Sequence, residues 1–153
     1  MDLIEYAVYF GSNQIFNYLR KNGAELNSSL WLYAVHGQNA EIINFLEENK
    51  ILPSNTGQDS FEQIFKESIK CHHIDVANYI QNNYLQNEKE YANDTLNNCL
   101  KYYNFMFMQF DINNENLFCY LCRYDYYSLV LILFKKIDLD INKKIIYIMI
   151  FLI

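Results

Sequence analysis

The residues of this chain best equipped for chemistry are its four cysteines and three histidines. Cys119-Tyr120-Leu121-Cys122 has the two-residue spacing of a dithiol redox centre. Such a centre normally opens a helix after a strand, where the helix dipole lowers the thiol pKa and supplies thiolate. Here the pair lies inside a stretch with helical periodicity, so both thiols are read as structural. Cys71-His72-His73 offers soft donors to a metal, and Cys119 and Cys122 would formally complete a zinc set. The two groups stand about fifty residues apart, whereas structural zinc ligands arrive as two short pairs matched in spacing. No metal site and no cofactor is therefore expected, and His73 reads as a surface residue at a helix start.

Other chemistries lack candidates. The chain has no Gly-rich phosphate loop and no Ser in a nucleophile elbow. Glu47 and Glu48 stand at a predicted helix end, where solvation is their ordinary role. The expectation is a protein that is not an enzyme. Tyr120, Tyr124, Tyr126 and Tyr127 could form a platform for stacked bases. The net charge of -6 opposes this, because an acidic surface repels phosphate backbones. Packing between helices explains these tyrosines better, and nucleic acid is not an expected partner.

With 4 Gly and 1 Pro the tight turns of a many-stranded architecture are scarce, while 52% hydrophobic residues supply ample core, a balance that favours helices. The apolar stretches 129–134 and 145–153 fall short of the roughly 20 residues that span a bilayer, so no membrane span is expected. Met1-Asp2-Leu3-Ile4-Glu5-Tyr6 carries two acids where a secretory signal carries positive charge. The expectation is a cytoplasmic protein without a signal peptide, its cysteines reduced.

Laid on itself, the chain repeats. Ala7 aligns with Ala34, Ile15 with Ile42 and Leu19 with Leu46, each pair 27 residues apart. Further copies run from Ser68 to Ile80 and from Leu121 to Leu133. Each unit reads as two short helices, the first ending near Gly11, Gln38, His72 or Asp125, the second apolar at i, i+1, i+3 and i+4. One such hairpin cannot bury its own core, whereas stacked neighbours can, so the predicted fold is all-α, a helical-hairpin solenoid. The units are placed at 2–28, 29–56, 61–87, a degenerate 88–115, and 116–142, forming one domain over 1–142. In the degenerate unit, 93–103 is a plausible helix and 104–114 gives no clean second one. Residues 53–59 read as a surface turn.

Ala7-Val8, Gly11, Ile15-Phe16, Tyr18-Leu19 and Asn22-Gly23-Ala24-Glu25-Leu26-Asn27 fall in the order of an ankyrin repeat, with its paired small residues, glycine, apolar outer helix and finger. Asp140-Ile141-Asn142 repeats the finger ending, and His73 stands where a histidine often follows the glycine. The chain thus resembles the ankyrin-repeat family across roughly 1–142. The wording of Leu30-Trp31-Leu32-Tyr33-Ala34-Val35-His36-Gly37 and Glu67-Ser68-Ile69-Lys70-Cys71-His72-His73 looks like a divergent ankyrin group, a domain of unknown function expanded in anaerobic parasitic protists. The Thr-Pro-Leu-His opening is replaced, with Ser29 and Asn116 left as possible N-caps. In this resemblance Cys119 and Cys122 take the places of a partly buried polar residue and a small packing residue.

The resemblance implies a protein–protein interaction module that binds an unknown protein partner through a concave face. Inner-helix positions on that face are Tyr9, Phe10, His36, Lys70, Cys71, Arg123 and Tyr124, of which Tyr9, Phe10, Arg123 and Tyr124 are the types that dominate interfaces. Alternatives are a truncated family member without selected activity and a small zinc- or thiol-binding protein. The tail at 143–153 reads as an incomplete repeat. It carries apolar residues where a capping repeat would be polar, so the array is expected to be C-terminally truncated, and the protein a monomer or aggregation-prone through the tail.

Overall fold

A computed structural model of the chain describes residues 1–53, 60–85, 88–112 and 114–136. Among these residues there are nine α-helices, one 3-10 turn and no strand, so the chain is all-α. None of the described helices is long and apolar enough to cross a membrane. The turn read at 53–59 (apart from Pro53), the finger ending at 140–142 and the tail at 143–153 lie outside the described residues. The chain divides into two compact units, Met1–Tyr91 and Ala92–Ile153.

In the first unit three hairpins follow one another: α1 (Leu3–Tyr9) with α2 (Asn13–Lys21), α3 (Leu30–His36) with α4 (Ala40–Glu48), and α5 (Phe61–Lys70) with α6 (Ile74–Tyr84). The first helix of each lies against the first helix of the next, α1 on α3 and α3 on α5. Each turns one apolar stripe inward, so that Val8, Leu30, Trp31, Ala34, Val35, Ile64 and Ile69 are fully buried. Each large apolar side chain removed from water in this way stabilises the fold by about 1.5–3 kcal/mol. The turn after α3 lies so close to the end of α1 that a Cβ at Gly37 would lie 2.6 Å from the Val8 carbonyl oxygen.

A single turn geometry ends the first helix of every hairpin. Gly11, Gln38 and His72 have φ of 64°, 48° and 59°. The next residue donates its N–H across the turn, from Ser12 to the Ala7 carbonyl, Asn39 to that of Ala34 and His73 to that of Ser68, at 2.8–3.1 Å. This is the Schellman ending, in which a left-handed residue reverses the chain and satisfies orphan carbonyls. Three of the four predicted helix ends are thus left-handed residues of the first unit, and the fourth, Asp125 (φ 59°), repeats the geometry in the second unit.

The second unit contains most of α7 (Glu88–Lys101), the 3-10 turn Phe105–Phe107, α8 (Glu115–Arg123) and α9 (Tyr127–Lys136). Leu96, Leu100, Leu117, Leu121 and Leu133 form its core. The segment that repeats worst in sequence carries the same ending: Tyr103 has φ 57° and the Asn104 N–H reaches the Cys99 carbonyl at 3.0 Å. After it, among the described residues, the 3-10 turn is the one helical element before α8.

Two capping expectations are corrected. Ser29 precedes α3 but makes no side-chain cap bond: its own backbone is already helical (φ -62°, ψ -24°) rather than extended as at a capping residue, and its hydroxyl donates to Glu5 at 2.7 Å. Asn116 lies inside α8, and the cap is Asn114, whose side chain accepts from the Asn116 N–H. Ser60 and Asn39 cap α5 and α4.

Candidate functional site

The ends of α1, α3 and α5 lie side by side, and the side chains there form one connected line. Phe10 is 73% exposed and packs edge-on against Tyr9, with ring centroids 5.0 Å apart. Tyr9 lies against the His36 imidazole at 4.8 Å. His36 Nε2 meets Glu67 Oε1 at 2.5 Å, and the same oxygen accepts from Lys70 Nζ at 2.9 Å. The Cys71 thiol closes the group, with Sγ 3.5 Å from His36 Nδ1 and 3.9 Å from Glu67 Oε1. Burial, followed by the Glu67 charge, pushes this thiol above its ordinary pKa, so it is protonated at neutral pH.

Four of the predicted contact residues, Tyr9, Phe10, His36 and Lys70, are therefore brought together within the first unit, and Cys71 joins them. Arg123 and Tyr124 belong to the second unit. The Arg123 guanidinium stands 5.7 Å over the Tyr120 ring, and the Tyr124 hydroxyl donates to Asn97 at 2.8 Å. Glu67 is not among the contact residues expected from the sequence. Its place four residues before Cys71, on one helix face, was the signal that could have found it.

The remaining chemistry-bearing residues have structural surroundings. Cys119 and Cys122 are free thiols within α8, and Cys122 is exposed rather than a packing residue. His73 is more than a surface residue: it opens α6, and its Nδ1 lies 2.8 Å from the Val35 carbonyl oxygen, which it binds as a donor. Glu47 is not a merely solvated carboxylate, since it accepts from the hydroxyls of both Tyr79 and Tyr84. Tyr84 in turn stacks on Phe61, which packs edge-on to the buried Trp31. That cluster joins the third hairpin to the second. Between α2 and α4 runs a cleft of about 350 Å³ floored by Phe16, Ile42 and Phe45 and rimmed by Asn13, Glu41 and Glu48, which the sequence did not suggest.

Compared with protein-family models, curated proteins and solved structures, the chain finds no match in any of the three.

Proposed function

We propose that the chain is a helical-repeat module of ankyrin type that binds another protein through the line of side chains at the ends of α1, α3 and α5. One observation carries this reading: Phe10, Tyr9, His36 and Lys70 come from three successive hairpins and still form one continuous surface. A protein partner suits that surface. Phe10 and Tyr6 present rings that are 73% and 50% exposed and stack on each other at 6.4 Å, an apolar anchor of the kind that dominates interface energy. Lys70 and the half-buried His36–Glu67 pair add polar groups beside it, as at an interface rim.

The recurring left-handed helix ends at Gly11, Gln38, His72, Tyr103 and Asp125 support a five-unit repeat. In this reading the rigid hairpins hold contact residues in register and no bond is made or broken. An acidic net charge disfavours nucleic acid as the partner. The four free thiols suit a reducing compartment such as the cytoplasm.

The test is affinity capture from the source cell with the full chain, set beside Phe10→Ala and a control at exposed Asn44. Loss of a captured protein with Phe10→Ala alone supports the surface assigned. Equal capture by all three chains contradicts it.

A further inference from the structure

His36, Glu67 and Cys71 offer one imidazole nitrogen, one carboxylate oxygen and one sulfur, all within 4.8 Å of one another and all half-buried. Two helices supply them. Glu67 and Cys71 stand four residues apart at the C-terminal end of α5 and so project from the same face. His36 is the last residue of α3, the helix packed alongside. The register of the two hairpins, rather than any short motif, gathers the set.

We propose that His36, Glu67 and Cys71 form a binding site for one zinc-class divalent ion, with a fourth position left to water. This goes beyond the partner-binding reading and does not depend on it. The donor types decide the metal: thiolate and imidazole select Zn²⁺ or Co²⁺ over Mg²⁺ and Ca²⁺, which want oxygen alone. The spacing is close to what such an ion needs. Metal–ligand bonds of about 2.0–2.3 Å in a tetrahedron place ligand atoms roughly 3.3–3.8 Å apart. Sulfur already lies 3.5 Å from His36 Nδ1, 3.9 Å from Nε2 and 3.9 Å from Glu67 Oε1. Only the 2.5 Å contact between His36 Nε2 and Glu67 Oε1 must open, as the two atoms part to admit the ion between them.

The surroundings favour a cation in two ways. The site lies at the C-terminal end of the ten-residue α5, where the last carbonyls concentrate negative potential. The Tyr9 ring against His36 holds the imidazole from turning away. One group opposes the ion: Lys70 Nζ sits 2.9 Å from the same Glu67 oxygen. Its side chain is exposed and long enough to swing into solvent. Protons balance as follows: the Cys71 thiol loses one proton to water as the sulfur–metal bond forms, a proton on the ligating nitrogen of the neutral His36 ring passes to the other ring nitrogen, and no electron moves.

Cobalt titration of the metal-free full chain is the test. One Co²⁺ per chain is expected to produce a thiolate-to-cobalt charge-transfer band, with the visible bands of a four-coordinate ion, and Zn²⁺ should displace it. Since loss of an outer-shell partner already costs about 10–100-fold in metal affinity, loss of a ligand in Cys71→Ser, His36→Ala or Glu67→Gln should cost at least about 100-fold. Lys70→Gln removes only the competing charge and should tighten binding. Cys122→Ser should change nothing. Should a ligand variant fail to fold, alkylation of the intact chain gives the same answer, with Zn²⁺ slowing modification of Cys71 and not of Cys122. Absence of the charge-transfer band, its survival in Cys71→Ser, or equal protection of both cysteines would overturn the site.

Discussion

His73 Nδ1 binds the carbonyl oxygen of Val35, three residues before the left-handed end of the preceding hairpin's first helix. Tyr126 makes the equivalent bond in the second unit, its hydroxyl donating at 2.7 Å to Leu100, three residues before Tyr103. Two different side chains at the same place in the turn thus satisfy the same carbonyl. Replacing Tyr126 by Phe takes this partner from the Leu100 carbonyl and is expected to destabilise by about 1–3 kcal/mol in denaturant unfolding, whereas His73→Ala should cost less, because the Val35 carbonyl keeps the Gln38 N–H at 3.1 Å. A change within about 0.5 kcal/mol of neutral, the range of an ordinary surface substitution, would show the bond to be incidental.

Gly37 and Gly23 separate space from conformation. A Cβ at Gly37 would lie 2.6 Å from the Val8 carbonyl oxygen and 3.0 Å from that of Tyr9, both rigid backbone. At Gly23, where φ is 88°, a Cβ would meet nothing within 4 Å. Gly37→Ala must push α1 and α3 apart and should cost more than Gly23→Ala, which carries only the left-handed penalty of about 1–2 kcal/mol. Ala34→Leu, at a fully buried position on the same helix, should cost about 1–3 kcal/mol through overpacking. Thermal melting of the three variants ranks them directly.

The 27-residue offset places Ala7 over Ala34, and the polar or small residue after each first helix marks four of the five left-handed turns that end a first helix among the described residues. These features are local, and the backbone geometry they require is written in the residues that adopt it. The turn at Tyr103 was not legible, because an aromatic residue gives no hint of positive φ. The union of His36 with Glu67 and Cys71, and of Glu47 with Tyr79 and Tyr84, was hidden for another reason. Those partners sit on different hairpins, and how neighbouring hairpins align depends on packing rather than on any short spacing.

Glu5 makes stability sensitive to acid. Burial alone would raise its pKa, but the hydrogen bonds donated by the Ser29 hydroxyl and the Asp2 N–H, with the amino terminus nearby, hold it below the usual carboxylate value. A depressed folded-state pKa contributes stability that is present above the unfolded-state pKa and is lost as pH falls through the folded value. Unfolding followed through the acid range should therefore be less pH-dependent in Glu5→Gln than in the parent. Identical slopes would remove Glu5 from the account.

Among the thiols, Cys99 is fully buried, and burial pushes it up to about 11. Little thiolate forms at neutral pH and no reagent reaches it. Cys122 is exposed. A thiol reagent at mildly alkaline pH should modify Cys122 readily in the native chain, and Cys99 only after denaturation. Native reaction at Cys99 would mean that the Ala92–Ile153 unit opens locally.

The most direct measurement places a photo-crosslinking amino acid at Phe10 in the full chain, within the source cell, and compares it with the same group at exposed Lys21 on α2. A discrete crosslinked protein is expected from position 10, diminishing when Tyr9 is also changed to Ala, and none from position 21. The same product from both positions, or none from position 10, would contradict a partner-binding face at the ends of α1, α3 and α5.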